Sequence, residues 1–272
     1  SELTAFPLVE TVLAARLLAA DQPAVAERIV SGEALVSIAW AGRLAVQDGR
    51  ANGTVGRAPL GATAQYILCS AEDGSGLLLD VTASGVTRSD DPSFELERPQ
   101  TRIAVAGAPV TGLPQGSGWT ALREDALLLG ATGALDSAQT CLDAAIAHVT
   151  QRRQFGRTLV ANQGLRFELA RQRLAMEGAR LALDHALAAA PQDPWGKSPA
   201  RLVARASVAE TAPRVIEAAI QLHGGMGFTW DMPLHRHLRR AKEVAARCDA
   251  AAARESLTAI MVEDTSAEAF AP

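Results

Sequence analysis

The sequence predicts an α+β fold in three parts: a short N-terminal helical segment, a small β domain and a C-terminal antiparallel four-helix bundle. Apolar residues recur at helical spacing before residue 32 and again after residue 117, where four long amphipathic segments follow one another. Between them, short apolar runs alternate with turn residues, as in β-strands. We assign residues 1–32, 33–116 and 117–265 to these parts and residues 266–272 to a frayed tail.

The N-terminal segment is predicted as two short helices. Apolar residues from Leu8 to Ala19 follow a helical period, and Asp21-Gln22-Pro23 interrupts it. A second short helix follows and continues through Ile29. We interpret this segment as a small helical lead-in to the β domain.

The β domain is predicted from the apolar runs ALVSIAWAG, YILCSA, GLLLDV and RIAVAG. Turn residues separate these runs, at Gln47-Asp48-Gly49, Asn52-Gly53, Asp73-Gly74 and Asp90-Asp91-Pro92. We expect a compact sheet or barrel.

The bundle helices are predicted at about 121–152 and 162–190, from Ser198-Pro199 to Gly224-Gly225, and from near Pro233 to about Val262. In the third helix, Ser198 is a favoured N-cap and proline suits the first helical position. The predicted core contains Leu127, Leu135, Leu142, Ile146, Leu169, Ile216 and Ile220.

Composition excludes several classes of function. The net charge is −4 and the 26 Lys and Arg residues are dispersed, so that no basic surface for nucleic acid is predicted. No apolar run approaches the roughly 20 residues of a membrane span, and we expect a cytoplasmic protein. The three cysteines form no CxxC pair and the five histidines have no neighbours at ligand spacing, so we predict neither disulfides nor a metal site.

Two clusters at predicted helix ends are candidates for a binding site. Gln151-Arg152-Arg153-Gln154-Phe155-Gly156 ends the first bundle helix, and Gln221-Leu222-His223-Gly224-Gly225-Met226-Gly227-Phe228 ends the third. An arginine offers a planar fork to a diphosphate, an aromatic ring covers a base, and glycines let the backbone approach a ligand. Each cluster alone is also explained as a helix stop, with glycines or basic residues at the helix C-terminus.

Together, these clusters resemble motifs of the acyl-CoA dehydrogenase family. Members carry Arg-x-x-Phe-Gly-x-x-Leu-x-x-x-Gln and later Gln-x-x-Gly-Gly-x-Gly; here the stretches read RRQFGRTLVANQ and QLHGGMG. The resemblance covers about residues 20–260. It implies FAD as cofactor and α,β-dehydrogenation of an acyl-CoA thioester to a 2-enoyl-CoA. The cofactor-binding residues that it implies are Arg152, Gln154, Phe155, Gln163, Gln221, Gly224 and Gly225.

The resemblance also implies that the catalytic glutamate is absent. The two positions at which family members carry this base are occupied here by Ala126 and Cys248. Glu124 and Asp125 are adjacent to the first position, but a shift of one or two residues on a helix turns the side chain by about 100° or 200°. We interpret them as charges in the first turn of that helix.

The β domain lacks the family's runs around the isoalloxazine ring, with Ala39-Trp40-Ala41-Gly42-Arg43 and Val55-Gly56-Arg57-Ala58-Pro59 in their places. In family dimers, the two retained motifs hold the ADP half of the neighbouring subunit's FAD. The chain therefore resembles the degenerate subunit of split α2β2 acyl-CoA dehydrogenases of actinobacterial steroid side-chain degradation. This resemblance implies a homologous catalytic partner that binds most of the acyl-CoA, possible steroid side-chain CoA esters as substrates, and an electron-transfer flavoprotein or similar acceptor.

Two other hypotheses remain open at this point. One is a self-sufficient homo-oligomeric dehydrogenase with Glu124 or Asp125 as a displaced base. The other is a flavin-free structural paralogue. Turnover by the isolated chain would support the first, and a colourless protein even when co-expressed with a homologue would support the second.

Overall fold

The computed structural model describes residues 7–114, 118–188 and 198–269, with side chains up to residue 262. The chain divides into two compact units, which we name the sheet unit (residues 4–126) and the bundle unit (from Leu127 onward). Across the described residues, no helix combines the length and apolar character that crossing a bilayer requires.

The sheet unit begins with two helices, α1 (Leu8–Leu18) and α2 (Pro23–Val30). The predicted break between them is confirmed, and Pro23 starts α2 because its missing N–H has no partner to lose at that position. Leu13, Leu17 and Leu18 of α1 are buried in the core of the unit. The N-terminal segment therefore packs together with the sheet residues of the same unit.

Ten short strands are described, eight of them in the sheet unit. One sheet has the order β1-β4-β5-β8 and the other the order β2-β3-β7-β6. The strands are β1 (Val36–Ile38), β2 (Ala41–Gln47), β3 (Arg50–Pro59), β4 (Tyr66–Ser70), β5 (Gly76–Asp80), β6 (Val86–Asp91), β7 (Gln100–Pro109) and β8 (Thr111–Gly112). Leu44, Ile67, Leu79 and Ile103 are fully buried in a shared core.

The turn between β2 and β3 lies at Asp48 and Gly49, whereas the turn predicted at Asn52-Gly53 is wrong. Both turn residues have positive φ (50° and 72°). Two-residue hairpin turns with positive φ match the right-handed twist of the strands that they connect. Asn52 and Gly53 lie inside β3 beside a register shift, and the extra residue of this bulge is Gly107 of the paired strand β7, with φ 64°. Of the turn predicted at Asp90-Asp91-Pro92, Asp90 and Asp91 are the last two residues of β6 and Pro92 lies directly after the strand.

A buried ion pair connects α1 with the segment before β7. Arg98 Nη2 donates to Glu10 Oε1 at 2.8 Å, and the two side chains are 8% and 6% exposed. Buried charges of this kind are tolerated only when paired. The pair therefore ties the first helix into the sheet unit.

The bundle unit contains the rest of α3 (Trp119–Gln151), which begins in the sheet unit, together with α4 (Gln163–Ala188), α5 (Pro199–His223), α6 (Leu234–Cys248) and α7 (Ala250–Ala269). The predicted start of α5 is confirmed, although the Ser198 hydroxyl makes no capping hydrogen bond. Helix α5 contacts α4, α6 and α7 and is the central helix of the unit. Of the segment predicted as a tail, α7 includes residues up to Ala269, and residues 270–272 lie outside the described chain.

The fourth predicted helix is wrong as a single element, because it is two helices separated at Asp249. Asp249 adopts a left-handed conformation with φ 46° and its N–H donates to the Ala245 carbonyl, which ends α6. Its carboxylate accepts a hydrogen bond from the Ala252 N–H at 3.1 Å and so caps α7. Ala253 of α7 then packs on Leu202 of α5.

The predicted bundle core is largely confirmed. Leu135, Leu142, Ile216 and Ile220 are buried, and Leu127 and Leu169 pack against them at its edge. The assignment of Ile146 is wrong, since this side chain is 38% exposed. The buried stripe of α3 continues through Ala145 and Val149, and Ile146 lies about 100° away from Ala145.

Candidate cofactor site

A cavity of about 550 Å³ lies in the bundle unit, where α3 ends, α4 begins and α5 ends. The residues that line this cavity include Arg152, Gln221, Gly224, Gly225, His148 and His223. The structure thus brings both sequence clusters to one cavity, although they are about 70 residues apart in the chain.

The first cluster is a tight hairpin that follows α3. The Arg152 N–H donates to the His148 carbonyl at 2.8 Å, and the Arg152 carbonyl accepts from the Leu159 N–H at 2.9 Å. Strands β9 (Arg153–Gln154) and β10 (Arg157–Thr158) then pair on either side of Phe155 and Gly156. Both turn residues have positive φ, 54° and 78°. The hairpin therefore holds Arg152 at the cavity and Phe155 at its own tip.

The second cluster ends α5 at a glycine that no other residue replaces without strain. Gly224 has φ 63° and ψ −142°, and its N–H donates to the Gln221 carbonyl. A 3₁₀ turn follows over Gly224–Phe228. A Cβ on Gly227 would lie 2.3 Å from the Ile220 carbonyl oxygen, so this glycine serves packing. Around Gly224 and Gly225 an added Cβ would meet nothing within 4 Å, which leaves the backbone open to a ligand.

Four of the seven predicted cofactor residues line the cavity: Arg152, Gln221, Gly224 and Gly225. The other three do not. Phe155 is 97% exposed at the hairpin tip, Gln154 is exposed on β9, and Gln163 is exposed at the start of α4. The hairpin turn carries Gln154 and Phe155 out of the cavity. Their roles in holding a cofactor remain predictions.

The guanidinium of Arg152 is available to an anion. It is exposed, and it makes no hydrogen bond or ion pair with any residue that the structure describes. Glu168 also lines the cavity, but its carboxylate is paired with Arg171 at 3.2 Å. An uncommitted guanidinium beside open glycine backbone is a suitable site for a phosphate or diphosphate.

A stacked pair of histidines, which the sequence did not predict, forms part of the cavity wall. The rings of His148 and His223 lie 4.6 Å apart with an interplanar angle of 27°. His223 Nδ1 lies 2.7 Å from the Ala219 carbonyl oxygen, which only accepts, so Nδ1 carries the proton. Burial, then His223 and then Arg152, lower the pKa of His148. The i,i+4 spacing of His148 and Arg152 was the available signal, because it places both on one helix face.

The two positions expected for a catalytic base carry no carboxylate. Ala126 is a buried residue of the sheet unit's core. Cys248 is the last residue of α6, fully buried, with its Sγ 4.0 Å from the Leu127 carbonyl oxygen. Among the described residues, no group of three or more His, Cys, Asp or Glu side chains is placed to hold a metal ion.

The placement of Glu124 and Asp125 in the first helical turn is wrong. Helix α3 begins at Trp119, so both residues lie in its second turn, and the first turn contains no acidic residue. Asp125 lines a separate cavity of about 480 Å³ in the sheet unit, together with Arg16 and Asp21. This cavity is where the displaced-base hypothesis would place Asp125 next to a substrate.

Comparison with known proteins gives the bundle a family. Residues 118–245 match the acyl-CoA dehydrogenase C-terminal domain. This part of the chain is similar to that C-terminal domain of the acyl-CoA dehydrogenase family. The acyl-CoA dehydrogenase FadE34 of Mycobacterium tuberculosis is 33% identical over 236 residues, which are 86% of this chain and 33% of that protein. The mitochondrial short-chain specific acyl-CoA dehydrogenase of Sus scrofa is 40% identical over 41% of the chain and 27% of its own length. The chain thus spans about a third of these acyl-CoA dehydrogenases, and both support the same family.

Solved structures confirm the acyl-CoA dehydrogenase-like α+β fold. The Tcur3481–Tcur3483 steroid ACAD has a TM-score of 0.85 at 24% identity, over 96% of this chain and 77% of that one. The ChsE4–ChsE5 complex from Mycobacterium tuberculosis has a TM-score of 0.82 at 24% identity, over 99% and 77%. Acyl-CoA dehydrogenases bind FAD, and a glutaryl-CoA dehydrogenase from Mycobacterium smegmatis was solved with FADH2 (TM-score 0.77, 16% identity, 91% and 72% covered).

Proposed function

We propose that this chain is a non-catalytic subunit of an FAD-dependent acyl-CoA dehydrogenase, and that it holds the ADP half of an FAD shared with a homologous catalytic subunit. One observation carries the proposal: the cavity in the bundle unit joins the uncommitted guanidinium of Arg152 to the open backbone at Gly224 and Gly225. In the sheet unit, the sequence has other residues in place of the family's runs around the flavin ring.

The residues of the cavity fit a diphosphate. Arg152 would bind phosphate oxygens through its planar fork, and the amide of Gln221 would donate to an oxygen or a ribose hydroxyl. The backbone around Gly224 and Gly225 leaves room for close approach, because neither position has a neighbour within 4 Å of an added Cβ. Phe155, held in a left-handed conformation and 97% exposed, is suited to cover the adenine or a partner surface.

The chemical step belongs to the partner in this proposal. FAD, when bound, accepts the hydride that leaves the β-carbon of the acyl-CoA, and a carboxylate must remove the α-proton. This chain has Ala126 and Cys248 at the two expected positions of that base. A buried thiol is a poor replacement for a positioned carboxylate. The chain therefore binds and orients the cofactor while its partner handles the proton.

The proposed assembly is an α2β2 heterotetramer in the cytoplasm. Support comes from two structural neighbours whose names join two proteins, Tcur3481–Tcur3483 and ChsE4–ChsE5. The first is called a steroid ACAD, which supports a steroid side-chain CoA ester as substrate. We propose an electron-transfer flavoprotein or a similar protein as the electron acceptor of this assembly.

Arg152→Ala tests the shared site in the complex co-expressed with the proposed homologous catalytic partner. A charge-assisted hydrogen bond contributes about 1.5–3 kcal/mol, so FAD should bind about 10- to 150-fold less tightly. Activity should fall with flavin content, while turnover per bound FAD stays unchanged. Arg166→Ala removes the same charge from an exposed position of α4 outside the cavity and is the matched control. Unchanged FAD affinity in Arg152→Ala would falsify the shared-site proposal.

Gly225→Ala provides a second test that leaves the charge unchanged. The added methyl group would meet no protein atom within 4 Å, so folding should be unaffected and FAD affinity should fall. Gly227→Ala is the contrasting variant, because its methyl group would collide with the Ile220 carbonyl and destabilise the bundle. Melting temperature and flavin content separate the two effects. Equal flavin loss from destabilisation in both variants would argue against a ligand at Gly225.

A further inference from the structure

The cavity of the bundle unit contains a carboxylate that the diphosphate does not need. Among the described residues that line it, Glu168 is the only acidic one. It lies on α4 three residues after Leu165, another lining residue, so this side of the helix faces the cavity. A negative charge here opposes the binding of the anion that Arg152 attracts. The carboxylate therefore calls for a role of its own.

Two neighbours on α4 hold the Glu168 carboxylate in place. The Gln172 amide nitrogen donates to its Oε1, and Arg171 Nη1 lies 3.2 Å from its Oε2. Gln172 is buried, so its amide provides a fixed support one turn along the helix. Each carboxylate oxygen can accept about two hydrogen bonds and here has one partner. The cavity thus contains a positioned acceptor with capacity left for a ligand.

A ribose is the part of a nucleotide that suits an acceptor beside a diphosphate site. Its two free hydroxyl groups are hydrogen-bond donors, and in ADP they belong to the sugar that carries the diphosphate. Dinucleotide-binding folds use an acidic side chain for a free ribose hydroxyl and an arginine where the ribose is phosphorylated. By the same charge rule, Glu168 favours a ribose without phosphate.

The size of the cavity makes this charge effective against a further phosphate. A compact cavity of about 550 Å³ is roughly 10 Å across, which is no more than the Debye length at ordinary ionic strength. Salt therefore screens a phosphate inside it only weakly from Glu168. Arg171 compensates little, because its side chain is 71% exposed and its charge is screened by solvent. Arg152 can then balance a diphosphate but not a third phosphate group.

We propose that Glu168 is a specificity-determining residue, which accepts a hydrogen bond from a ribose hydroxyl and excludes a ribose that carries a phosphate. The inference rests on the proposed function and deepens it. An acyl-CoA dehydrogenase handles two ligands that contain ADP: FAD, whose ribose is free, and coenzyme A, whose ribose carries a 3′-phosphate. Glu168 makes the cavity take the first and reject the second.

Competition for the cavity tests the inference in the full chain co-expressed with its catalytic partner and stripped of FAD. Rebinding of FAD is followed by quenching of flavin fluorescence, with ADP or 3′-phospho-ADP as competitor. ADP should displace FAD, and 3′-phospho-ADP should do so at least about tenfold more weakly, because its third phosphate meets Glu168. Equal competition by the two nucleotides would overturn the role of Glu168 alone. Competition by neither would overturn the shared FAD site and this inference with it.

Glu168→Gln removes the charge and keeps a hydrogen-bond acceptor. Competition by 3′-phospho-ADP should improve about tenfold, whereas competition by ADP should change by less than about threefold. Glu177→Gln is the matched control, because Glu177 is on the same helix, is 33% exposed against 32% for Glu168, and is likewise paired with an arginine. It does not line the cavity. An equal improvement in both variants would overturn the proposal, since it would show an effect of net charge alone.

2′,3′-Dideoxy-ADP tests the hydrogen bond separately from the charge. It lacks both ribose hydroxyls, so the wild-type complex should bind it about tenfold less tightly than ADP, the effect of one hydrogen bond to a charged group. Glu168→Met has a side chain of similar length without an acceptor oxygen and should bind the two nucleotides alike. Equal affinity of the wild type for ADP and 2′,3′-dideoxy-ADP would overturn the ribose contact.

Discussion

His148 connects the cavity to solution pH. Its imidazole faces His223, Arg152 and Glu168 across the cavity wall, and burial is the largest cause of its lowered pKa, followed by the charges of His223 and Arg152. In the unfolded chain its pKa returns to about 6.5. The unfolded state therefore takes up a proton first when the pH falls through this value.

The sign of the pH effect follows from that difference. Stability contributed by neutral His148 is complete above pH 6.5 and is lost as the pH falls from 6.5 toward the lower pKa of the folded chain. His148→Gln should make the decrease in melting temperature between pH 7.5 and pH 5 shallower. His185→Gln, on the exposed face of α4, controls for loss of an imidazole. An unchanged slope in His148→Gln would contradict this account.

Because this chain has no catalytic base at the expected positions, substitutions at three nearby candidate residues should have little effect on turnover. Substituting Cys248, Glu124 or Asp125 with Ala in the assembled complex should change turnover by less than tenfold. A true general base contributes a factor of about 10² to 10⁴. Turnover per bound FAD is the appropriate measurement. A thousandfold loss for Asp125→Ala, with FAD retained, would instead support the self-sufficient dehydrogenase.

At the scale of elements, α3 offers a matched pair of apolar residues. Leu142 is fully buried, whereas Ile146, one turn later, is 38% exposed. Leu142→Ala should cost about 2–5 kcal/mol of stability because it leaves a cavity in the core. Ile146→Ala should cost about 1 kcal/mol or less. Urea unfolding midpoints of the two variants provide the comparison, and similar losses would show that the helix register is wrong.

The helical spacing of apolar residues predicted most of the bundle, because a helix that is buried on one side needs apolar residues at that spacing. The starts of α3, α4 and α5 follow that pattern closely. The break at Asp249 was not predictable in this way, since apolar spacing continues across it and only the left-handed conformation of one residue ends α6. The turn at Asp48-Gly49 and the strand glycine Gly53 have similar sequence signals, and only strand pairing distinguishes them.

The candidate site, like the fold, was predictable from the sequence only in part. Arg152, Gln221, Gly224 and Gly225, which line the cavity, were predicted because their residue types in these two motifs suit the binding of a diphosphate. The stack of His148 on His223 depends on how α3 and α5 approach each other, and no local pattern contains that information.

For the whole molecule, flavin stoichiometry is the decisive quantity. A chain that offers Arg152 and open glycines but no recognisable wall for the ring should bind FAD poorly alone, since few contacts offset the freedom that the ligand loses. We expect the isolated chain to be colourless or aggregated and the co-expressed complex to be yellow, with one FAD per heterodimer. Absorbance of the denatured flavin measures this ratio. Two FAD per heterodimer would contradict the shared site.

The buried pair of Glu10 and Arg98 restricts how this protein tolerates deletions. Trimming the chain past Glu10 would remove the carboxylate that pairs with the buried Arg98 guanidinium, at a cost of about 3–5 kcal/mol. Replacing both residues with apolar side chains of similar volume would cost far less, because no charge would then be desolvated. Evolutionary shortening of the N-terminal helix would therefore have to pass through the loss of Arg98 first. Related chains without the helix should carry an uncharged residue at that position.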